Sequence, residues 1–317
     1  MTTGPKPPAE ITIEPSLVRA LLQAQHTDLA PLPLVDIGEG WDNKLFRLGD
    51  DLAVRLPRRA ASAALIEQEQ RWLPRLSPRL PLPVPVPLRI GRPGSGFPWS
   101  WSVVPWFAGE SALLAPPQDP EPLVAALGQF LHALHQPAPD DAPHNPWRGV
   151  PLATRTKKVR EHVRQLDGLV DGSAVLSLWE HVVSAPSWSG PPMWVHGDLH
   201  PGNLLISGGR LSAVIDFGDL AAGDPATDLS VIWMLPPSAR STFFASTRGQ
   251  FNTTDEDTWI RARGWALALG LAYLASSRDD EAMGALGRTV IDDIYTFSTE
   301  HELEHTDDIQ RQFKMKK

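Results

Sequence analysis

Two aspartates and an asparagine lie close together in the second half of the chain, and their types suit metal-dependent chemistry on a phosphate. Asp198 is followed five residues later by Asn203, and Asp216 comes thirteen residues after that. Amide and carboxylate oxygens suit a hard cation such as Mg²⁺, which keeps phosphate oxygens among its other ligands. Asn203 and Asp216 therefore predict a magnesium site, and Asp198 could orient a hydroxyl group and accept its proton.

A predicted β-hairpin would bring these three residues together. The apolar runs 204–206 and 211–215 flank a turn that contains two consecutive glycines, which is a strand–turn–strand pattern. Such a hairpin places Asn203 where it starts and Asp216 where it ends, so the two side chains should be close in space. Asp198 would lie in the loop just before the first strand.

The order of these residues resembles the motifs of a known group of enzymes. His196, Asp198 and Asn203 form the pattern H-x-D-x-x-x-x-N, and the sequence DFG follows at 216–218. Together these resemble the catalytic and metal-binding signature of protein kinases, with Gly197 in place of the kinase arginine. The fuller sequences HGDLHPGN, IDFGD and GDPATDL resemble the aminoglycoside phosphotransferase family, which includes macrolide phosphotransferases and is related to choline kinases.

The resemblance extends over nearly the whole chain and implies both a fold and a reaction. It implies an α+β, bilobal protein-kinase-like fold. Residues 1–104 would form a small nucleotide-binding lobe with an antiparallel sheet, 105–109 a hinge, and 110–317 a larger, mainly helical catalytic and substrate-binding lobe. The family phosphorylates hydroxyl groups of small molecules with ATP or GTP and Mg²⁺. We therefore expect a phosphotransferase that acts on an aminoglycoside, a macrolide or another small compound.

The resemblance also points to residues that would bind the phosphates. Gly38 and Gly40 lie between two predicted strands where the family covers the phosphates, although the third glycine of G-x-G-x-x-G is missing. The segment 52–55 resembles the V-A-I-K strand of kinases, with Arg55 in place of lysine. Arginine can bind phosphate through two nitrogens, but it is bulkier and planar. Lys44 is the alternative cation.

The helix after this strand and the hinge complete the expected nucleotide site. In the kinase design a helical acid pairs with the phosphate-binding cation. Glu69 shares a face with apolar residues of the predicted helix Ala60–Leu76, so we prefer it to Glu67. In the family the hinge binds the purine through one carbonyl and an N–H two residues later, which corresponds to Pro105 and Phe107. Proline has no N–H, so Pro105 can only accept.

Four further residues near the motifs have expected roles. Asp219 follows the DFG sequence and is the acid expected to line the substrate side. His200 could approach phosphate or substrate, and a structural role is equally open. His196 is expected to be a buried histidine that supports the loop. Asp228 begins a predicted helix and is expected to anchor the backbone of the catalytic loop by hydrogen bonds.

Hydrophobic periodicity predicts the elements that position these residues. The first part of the chain has a helical pattern over 14–25, three short strands within 33–56, the helix Ala60–Leu76, and two strands at 88–90 and 99–104, which together predict a mostly antiparallel sheet. After Gly109 the pattern is mainly helical and is interrupted by a strand-like segment at 193–215. The predicted helices there cover residues 122–135, 152–183, 225–234, 238–248, 256–276 and 279–313.

Composition excludes several classes of protein. The absence of cysteine excludes disulfides, a thiolate metal site and a cysteine nucleophile. The net charge of −8, from 29 basic and 37 acidic residues, argues against a nucleic-acid-binding protein. The apolar run 265–275 is too short to span a bilayer, and the first ten residues lack a secretion-signal pattern. We expect a cytoplasmic protein whose partners are a nucleotide and a small acceptor, without nucleic acid, membrane or protein partners.

Charge distribution bears on the acceptor. Residues 1–108 carry 12 basic and 10 acidic side chains, whereas residues 109–317 carry 17 basic and 27 acidic ones. The acidic second part favours a cationic acceptor, although exposed acidic helices that only maintain solubility would give the same balance.

Two other functions remain open. Arg55 supports a catalytically silent nucleotide-binding module, and a protein kinase is disfavoured because the stretch between Gly218 and Asp224 is too short for an activation loop.

Overall fold

The computed structural model describes residues 7–247, 256–276 and 280–296. Its N-terminal part is built around a five-stranded antiparallel sheet. The strand order is β1-β2-β3-β5-β4. The elements of this part are helix α1 (Pro15–Gln25), strands β1 (Leu34–Glu39), β2 (Asn43–Leu48) and β3 (Leu52–Pro57), helix α2 (Ala60–Leu76), and strands β4 (Arg89–Gly91) and β5 (Trp101–Pro105).

Strand alternation explains how this sheet separates its core from its polar site. Val54 and Leu56 of β3 point to one face, where they pack with Phe46, Trp101 and the apolar residues of α1. The residue between them, Arg55, points to the opposite face because successive side chains of a strand alternate. Helix α2 packs against β3 and β5 and meets Arg55 there. The same strand therefore supplies apolar side chains to the core and Arg55 to the opposite face.

The C-terminal part is mainly helical, with two small sheets. Strands β6 (Glu110–Ser111), β8 (Leu204–Ser207) and β9 (Arg210–Val214) form one sheet, and β7 (Met193–Val195) pairs with β10 (Ala221–Gly223) in the other. The helices are α3 (Glu121–Leu134), α4 (Thr156–Gln165), α5 (Gly172–Val183), α6 (Ala226–Leu229), α7 (Arg240–Thr247), α8 (Glu256–Ser276) and α9 (281–296).

Helix α8 runs through the centre of this part. Its residues Trp265, Leu267 and Leu271 are fully buried in a core shared with α3, α4 and α5. Neighbours on most sides explain why the helix is apolar around nearly its whole circumference rather than along one stripe. None of the helices that the structure describes is both long enough and apolar enough to cross a membrane.

The predicted α+β organisation is confirmed, with an antiparallel N-terminal sheet and a mainly helical remainder. Helices α2 and α8 have the predicted bounds. The helical pattern predicted over 152–183 is present as a 3₁₀ helix, Leu152–Arg155, followed by α4 and α5. The two α-helices are separate because α4 ends at Gln165 and Gly168 turns the chain with a φ of +75°. The predicted helix 225–234 is a short α-helix followed by a 3₁₀ helix, Ser230–Met234. The ends of the predicted helices 238–248 and 279–313 lie outside the described residues.

Candidate active site

The predicted hairpin is present, and it brings the metal-ligand candidates Asn203 and Asp216 close together. Strands β8 and β9 pair antiparallel, and the backbone N–H of Ile215 donates to the carbonyl of Asn203 at 3.0 Å. The Asn203 amide nitrogen donates to the backbone carbonyl of Asp198 at 2.8 Å. Its side-chain oxygen is therefore the atom left to face a ligand. Asn203 also closes the loop that carries Asp198.

Asp228 anchors the catalytic loop, as predicted. Its carboxylate is fully buried and accepts hydrogen bonds from the backbone N–H groups of His196 at 2.7 Å and Gly197 at 2.9 Å. The ring of His135 adds a third contact at 3.0 Å. Burial alone would raise the pKa of Asp228, but the hydrogen bond and charge of His135 and the Gly197 N–H lower it. The buried carboxylate of Asp228 thus fixes the backbone of the loop at His196 and Gly197.

The first two residues of the motif are structural. His196 is fully buried, its Nδ1 accepts from the Asp198 N–H at 3.3 Å, and its Nε2 lies 3.0 Å from the Ile215 carbonyl. Gly197 has a φ of +87°, and a Cβ there would lie 2.3 Å from the backbone oxygen of Asp219. No side chain fits at this position, which explains why glycine stands where protein kinases have arginine.

Asp216 projects from the end of the hairpin towards the N-terminal sheet. Its backbone is in the left-handed region, with a φ of +63°, an uncommon conformation for a residue other than glycine. Its Oδ1 lies 3.5 Å from Nη2 of Arg55, and the side chain is 54% exposed. The carboxylate can therefore contact both Arg55 and a ligand.

Arg55 is paired with Glu69, the partner preferred from the sequence. Two hydrogen bonds of 2.6 and 3.2 Å join the two side chains, both of which are buried. Burial raises the pKa of Glu69 to about 7, although the charge of Arg55 acts in the opposite direction. Glu67 instead accepts from the Ser100 hydroxyl, and Lys44 pairs with Asp36 at 2.7 Å. Neither contact involves Arg55.

The loop that carries the two glycines is tied to the start of α2. Gly38 has a φ of +121° at an irregularity in β1, and the Gly40 N–H donates to the Asn43 carbonyl at 2.8 Å. Arg58 donates to the Gly40 carbonyl at 3.3 Å. Asp42, at the tip, accepts from Arg59 and from the Ser62 hydroxyl, both at 2.7 Å. Arg58, Arg59 and Ser62 thus hold this loop beside the face that carries Arg55.

The two hinge residues lie at the end of the sheet. Pro105 is the last residue of β5, opposite Leu52 of β3. The N–H of Trp106 donates to the Asp51 carbonyl at 2.7 Å, so the Trp106 N–H points to β3. The carbonyl and the N–H of a trans peptide point in opposite directions, which directs the Pro105 carbonyl away from β3. Pro105 and Phe107 are both half-buried.

Arg148 is the residue that sequence reasoning missed. It is 2% exposed and contacts two carboxylates, with Nη2 2.5 Å from Asp198 Oδ1 and Nε 3.0 Å from Asp219 Oδ2. Asn145 donates to the other Asp219 oxygen at 2.8 Å. Burial would lower the pKa of Arg148, but the charges of Asp198 and Asp219 raise it. The segment that contains Arg148 has no recognisable motif, so only the fold reveals the contact.

Of the two substrate-side candidates, His200 lies beside Asp198, and Asp219 is linked to Asp198 through Arg148. Each Asp219 oxygen accepts a hydrogen bond from a protein donor, and the side chain is partly exposed. His200 Nδ1 accepts from the Gly202 N–H at 3.1 Å, and its Nε2 is 3.7 Å from Asp198 Oδ2. Burial lowers the pKa of His200, against the nearby charge of Asp198. The rings of His200 and Tyr273 of α8 pack in a T-shaped arrangement, with their centroids 5.7 Å apart.

Known proteins share this fold and its sequence pattern. Residues 34–265 match the model of the phosphotransferase enzyme family, APH. No curated protein matches the sequence. One similar structure is the GDP complex of a point mutant of aminoglycoside 2'-phosphotransferase-IIIa, with 20% identity, 90% of this chain and 99% of that chain covered, and a TM-score of 0.69.

Macrolide phosphotransferases are also similar in structure. Macrolide 2'-phosphotransferase MphH from Brachybacterium faecium shares 19% identity over 87% of this chain and 97% of that chain, with a TM-score of 0.60. Macrolide 2'-phosphotransferase type I shares 22% identity over 89% and 98%, with a TM-score of 0.61. At these identities the likeness is one of fold. Because the family model spans well over half of the sequence, the chain belongs to the phosphotransferase enzyme family.

Proposed function

We propose that this protein is a small-molecule kinase that transfers the γ-phosphoryl group of ATP or GTP to a hydroxyl group of its acceptor. The observation that carries the proposal is the convergence of Asp198, Asn203 and Asp216 beside the Arg55–Glu69 pair. Structures of similar fold include a GDP complex and a ternary complex with streptomycin and ATP, which supports a nucleotide as the phosphate donor.

Mg²⁺ would be held by Asn203 and Asp216. The donor set fits, because the Asn203 amide nitrogen is already bonded to the Asp198 carbonyl and its oxygen is left for the ion. Asp216 adds a half-exposed carboxylate. When bound, the ion neutralises charge on the nucleotide phosphates and orients them.

Asp198 accepts the proton of the acceptor hydroxyl. The hydroxyl oxygen forms a bond to the γ-phosphorus, the bond from that phosphorus to the bridging oxygen breaks, and the nucleoside diphosphate leaves. Oδ1 of Asp198 is bonded to Arg148 at 2.5 Å, so Oδ2 is the oxygen that can receive the proton. Positioning and electrostatic stabilisation account for most of the catalysis in reactions of this type.

The N-terminal sheet binds the nucleotide. The bonds of Arg55 to Glu69 and Asp216 use three of its N–H groups, and guanidinium has five. The remaining N–H groups can donate to phosphate oxygens, while the loop with Gly38 and Gly40 covers them. Purine recognition would use the Pro105 carbonyl, which points away from β3, and the Phe107 N–H.

For the acceptor we propose a small, cationic hydroxyl compound such as an aminoglycoside, with a macrolide as the second class. Solved structures of similar fold include an aminoglycoside phosphotransferase and a macrolide phosphotransferase. The second part of this chain is strongly acidic. The carboxylates at the catalytic loop are already paired, Asp198 and Asp219 with Arg148 and Asp228 with His135. Acids farther from the loop would therefore bind the cationic groups.

The test is a transfer screen with ATP and GTP, each with and without Mg²⁺, over aminoglycosides, macrolides and neutral sugars. We expect metal-dependent transfer to at least one aminoglycoside or macrolide, and its loss in Asp216→Ala. Nucleotide binding without hydrolysis or transfer under any of these conditions would contradict the kinase and favour a catalytically silent nucleotide-binding module.

A further inference from the structure

The side chain of Arg148 joins two functional segments that are distant in sequence. It contacts Asp198 of the catalytic loop and Asp219, three residues beyond the metal-ligand candidate Asp216. The guanidinium is planar and rigid, so two bonds to it fix the relative position of the groups it binds. Movement of either carboxylate would break a charge-assisted hydrogen bond in a buried site.

The backbone next to Arg148 is fixed by the contacts of Gly149. The adjacent Gly149 donates its N–H to the Thr227 hydroxyl at 3.0 Å, and its carbonyl accepts from the Asp224 N–H at 2.8 Å. A Cβ on Gly149, whose φ is +65°, would lie 3.0 Å from the Cα of Gly223. This close packing against β10 leaves the Arg148 backbone little freedom. The guanidinium therefore acts as a fixed point for the carboxylates.

The contact distinguishes the two oxygens of Asp198. Oδ1 is taken by Arg148 at 2.5 Å, whereas Oδ2 lies 3.7 Å from His200 Nε2. Without the bond to Arg148 the carboxylate could rotate and present either oxygen in several directions. A displacement of about 1 Å at a reacting group can lower a rate by about 10²-fold.

We propose that Arg148 is a positioning residue that acts through Asp198, by holding one carboxylate oxygen so that the other faces the acceptor hydroxyl. This inference rests on the proposed kinase function and adds to it a residue outside every recognised motif. Arg148 touches neither of the metal-ligand candidates, so its loss should affect the rate of transfer far more than the binding of nucleotide.

The test is a double-mutant cycle of Arg148→Ala and Asp198→Asn, measured with ATP and the acceptor that gives the highest rate in the screen. We expect Arg148→Ala alone to lower kcat by about 10²-fold with little change in the KM for ATP. In the Asp198→Asn background the same change should lower kcat by less than about threefold, because its effect passes through the lost carboxylate. Arg148→Lys should recover part of the rate, since it keeps the charge.

Arg261→Lys is the matched control. Arg261 is also a buried arginine paired with an aspartate, with Nε 2.8 Å from Asp224 Oδ2, but it does not touch Asp198. This variant should lower Tm and leave kcat within about threefold of the wild type. Arg148→Lys replaces Arg148→Ala in the cycle if the alanine variant does not fold.

Two results separate this inference from the proposed function. Additive losses in the cycle, or an Arg148 variant with the wild-type kcat, would overturn the role of Arg148 and leave the kinase intact. Failure of the wild-type protein to transfer phosphate to any acceptor in the screen would overturn the kinase, and with it the role of Arg148.

Discussion

Replacing Asp228 with asparagine tests whether a buried carboxylate holds the catalytic loop together. The carboxylate of Asp228 accepts from the N–H groups of His196 and Gly197 and contacts His135. An amide offers one oxygen instead of two, so at least one of these donors would face an NH₂ group. A hydrogen bond to a charged group contributes about 1.5–3 kcal/mol, and a buried donor without a partner adds a further cost.

We therefore expect Asp228→Asn to lower the free energy of unfolding by about 3 kcal/mol. An unfolding entropy of about 2.1 cal/mol/K per residue makes 1 kcal/mol equivalent to about 1.5 °C in a chain of 317 residues, so Tm should fall by about 4–5 °C. The effect should depend on pH. Because the pKa of Asp228 is lowered from its usual 3.8, its contribution is present above pH 3.8 and is lost as the pH falls further. The difference in Tm between wild type and variant should narrow below pH 3.8.

Thermal melts followed by tryptophan fluorescence provide the measurement. Asp171→Asn is the matched control, since Asp171 is an exposed helix cap that accepts from the Ser173 and Ala174 N–H groups. Asparagine caps helices as well as aspartate does, so this control should melt within about 1 °C of the wild type. Equal melting temperatures for the Asp228 and Asp171 variants would refute the anchoring of the loop by Asp228.

Three further predictions concern the reaction. Asp198→Asn should keep the fold and nucleotide binding but lower kcat by about 10² or more, the usual scale of general base catalysis; turnover near the wild-type level would contradict the assignment of Asp198. Asp216→Ala should abolish Mg²⁺-dependent nucleotide binding, and Asn203→Ala should weaken it less, because a neutral amide carries less charge than a carboxylate. Equal metal affinity in Asp216→Ala and wild type, measured by titration, would rule out this metal site. The KM for a cationic acceptor should rise with ionic strength while kcat changes little, because the Debye length falls from about 10 Å at 0.1 M to about 3 Å at 1 M salt. A salt-independent KM with transfer only to neutral compounds would exclude a cationic acceptor.

Much of the fold and part of the site could be predicted because their signals are local. Periodicity identified α2 at its observed bounds, since apolar spacing directly reflects which face is buried. The choice of Glu69 over Glu67 followed from the same helical geometry, and the observed pair with Arg55 agrees with it. Helix α8 was identified by a long, mostly apolar sequence without proline, because it is buried on most sides. The anchoring role of Asp228 followed from its place at a helix start after the catalytic loop.

Arg148 could not be predicted, because its contacts depend on how distant segments pack. It lies fifty residues before Asp198 in a loop without regular periodicity. A buried arginine is rare unless it is paired, but the sequence does not show which residues are buried in a loop. The same limitation applies to the bonds that Asp219 accepts from Asn145 and Arg148, whereas its place on the substrate side stays a prediction.

The fixed geometry around Gly197 has a consequence for regulation. In protein kinases, phosphorylation of an activation loop controls whether the catalytic elements are assembled. Here the segment between the DFG sequence and β10 is only two residues long, and Gly197 leaves no space for an arginine that could read a phosphorylated loop. Arg148 supplies a permanent cation to the catalytic loop, and the Arg55–Glu69 pair is already formed. We expect an enzyme that is active as soon as it folds, so that the cell would set its output through the amount of protein made and the supply of nucleotide.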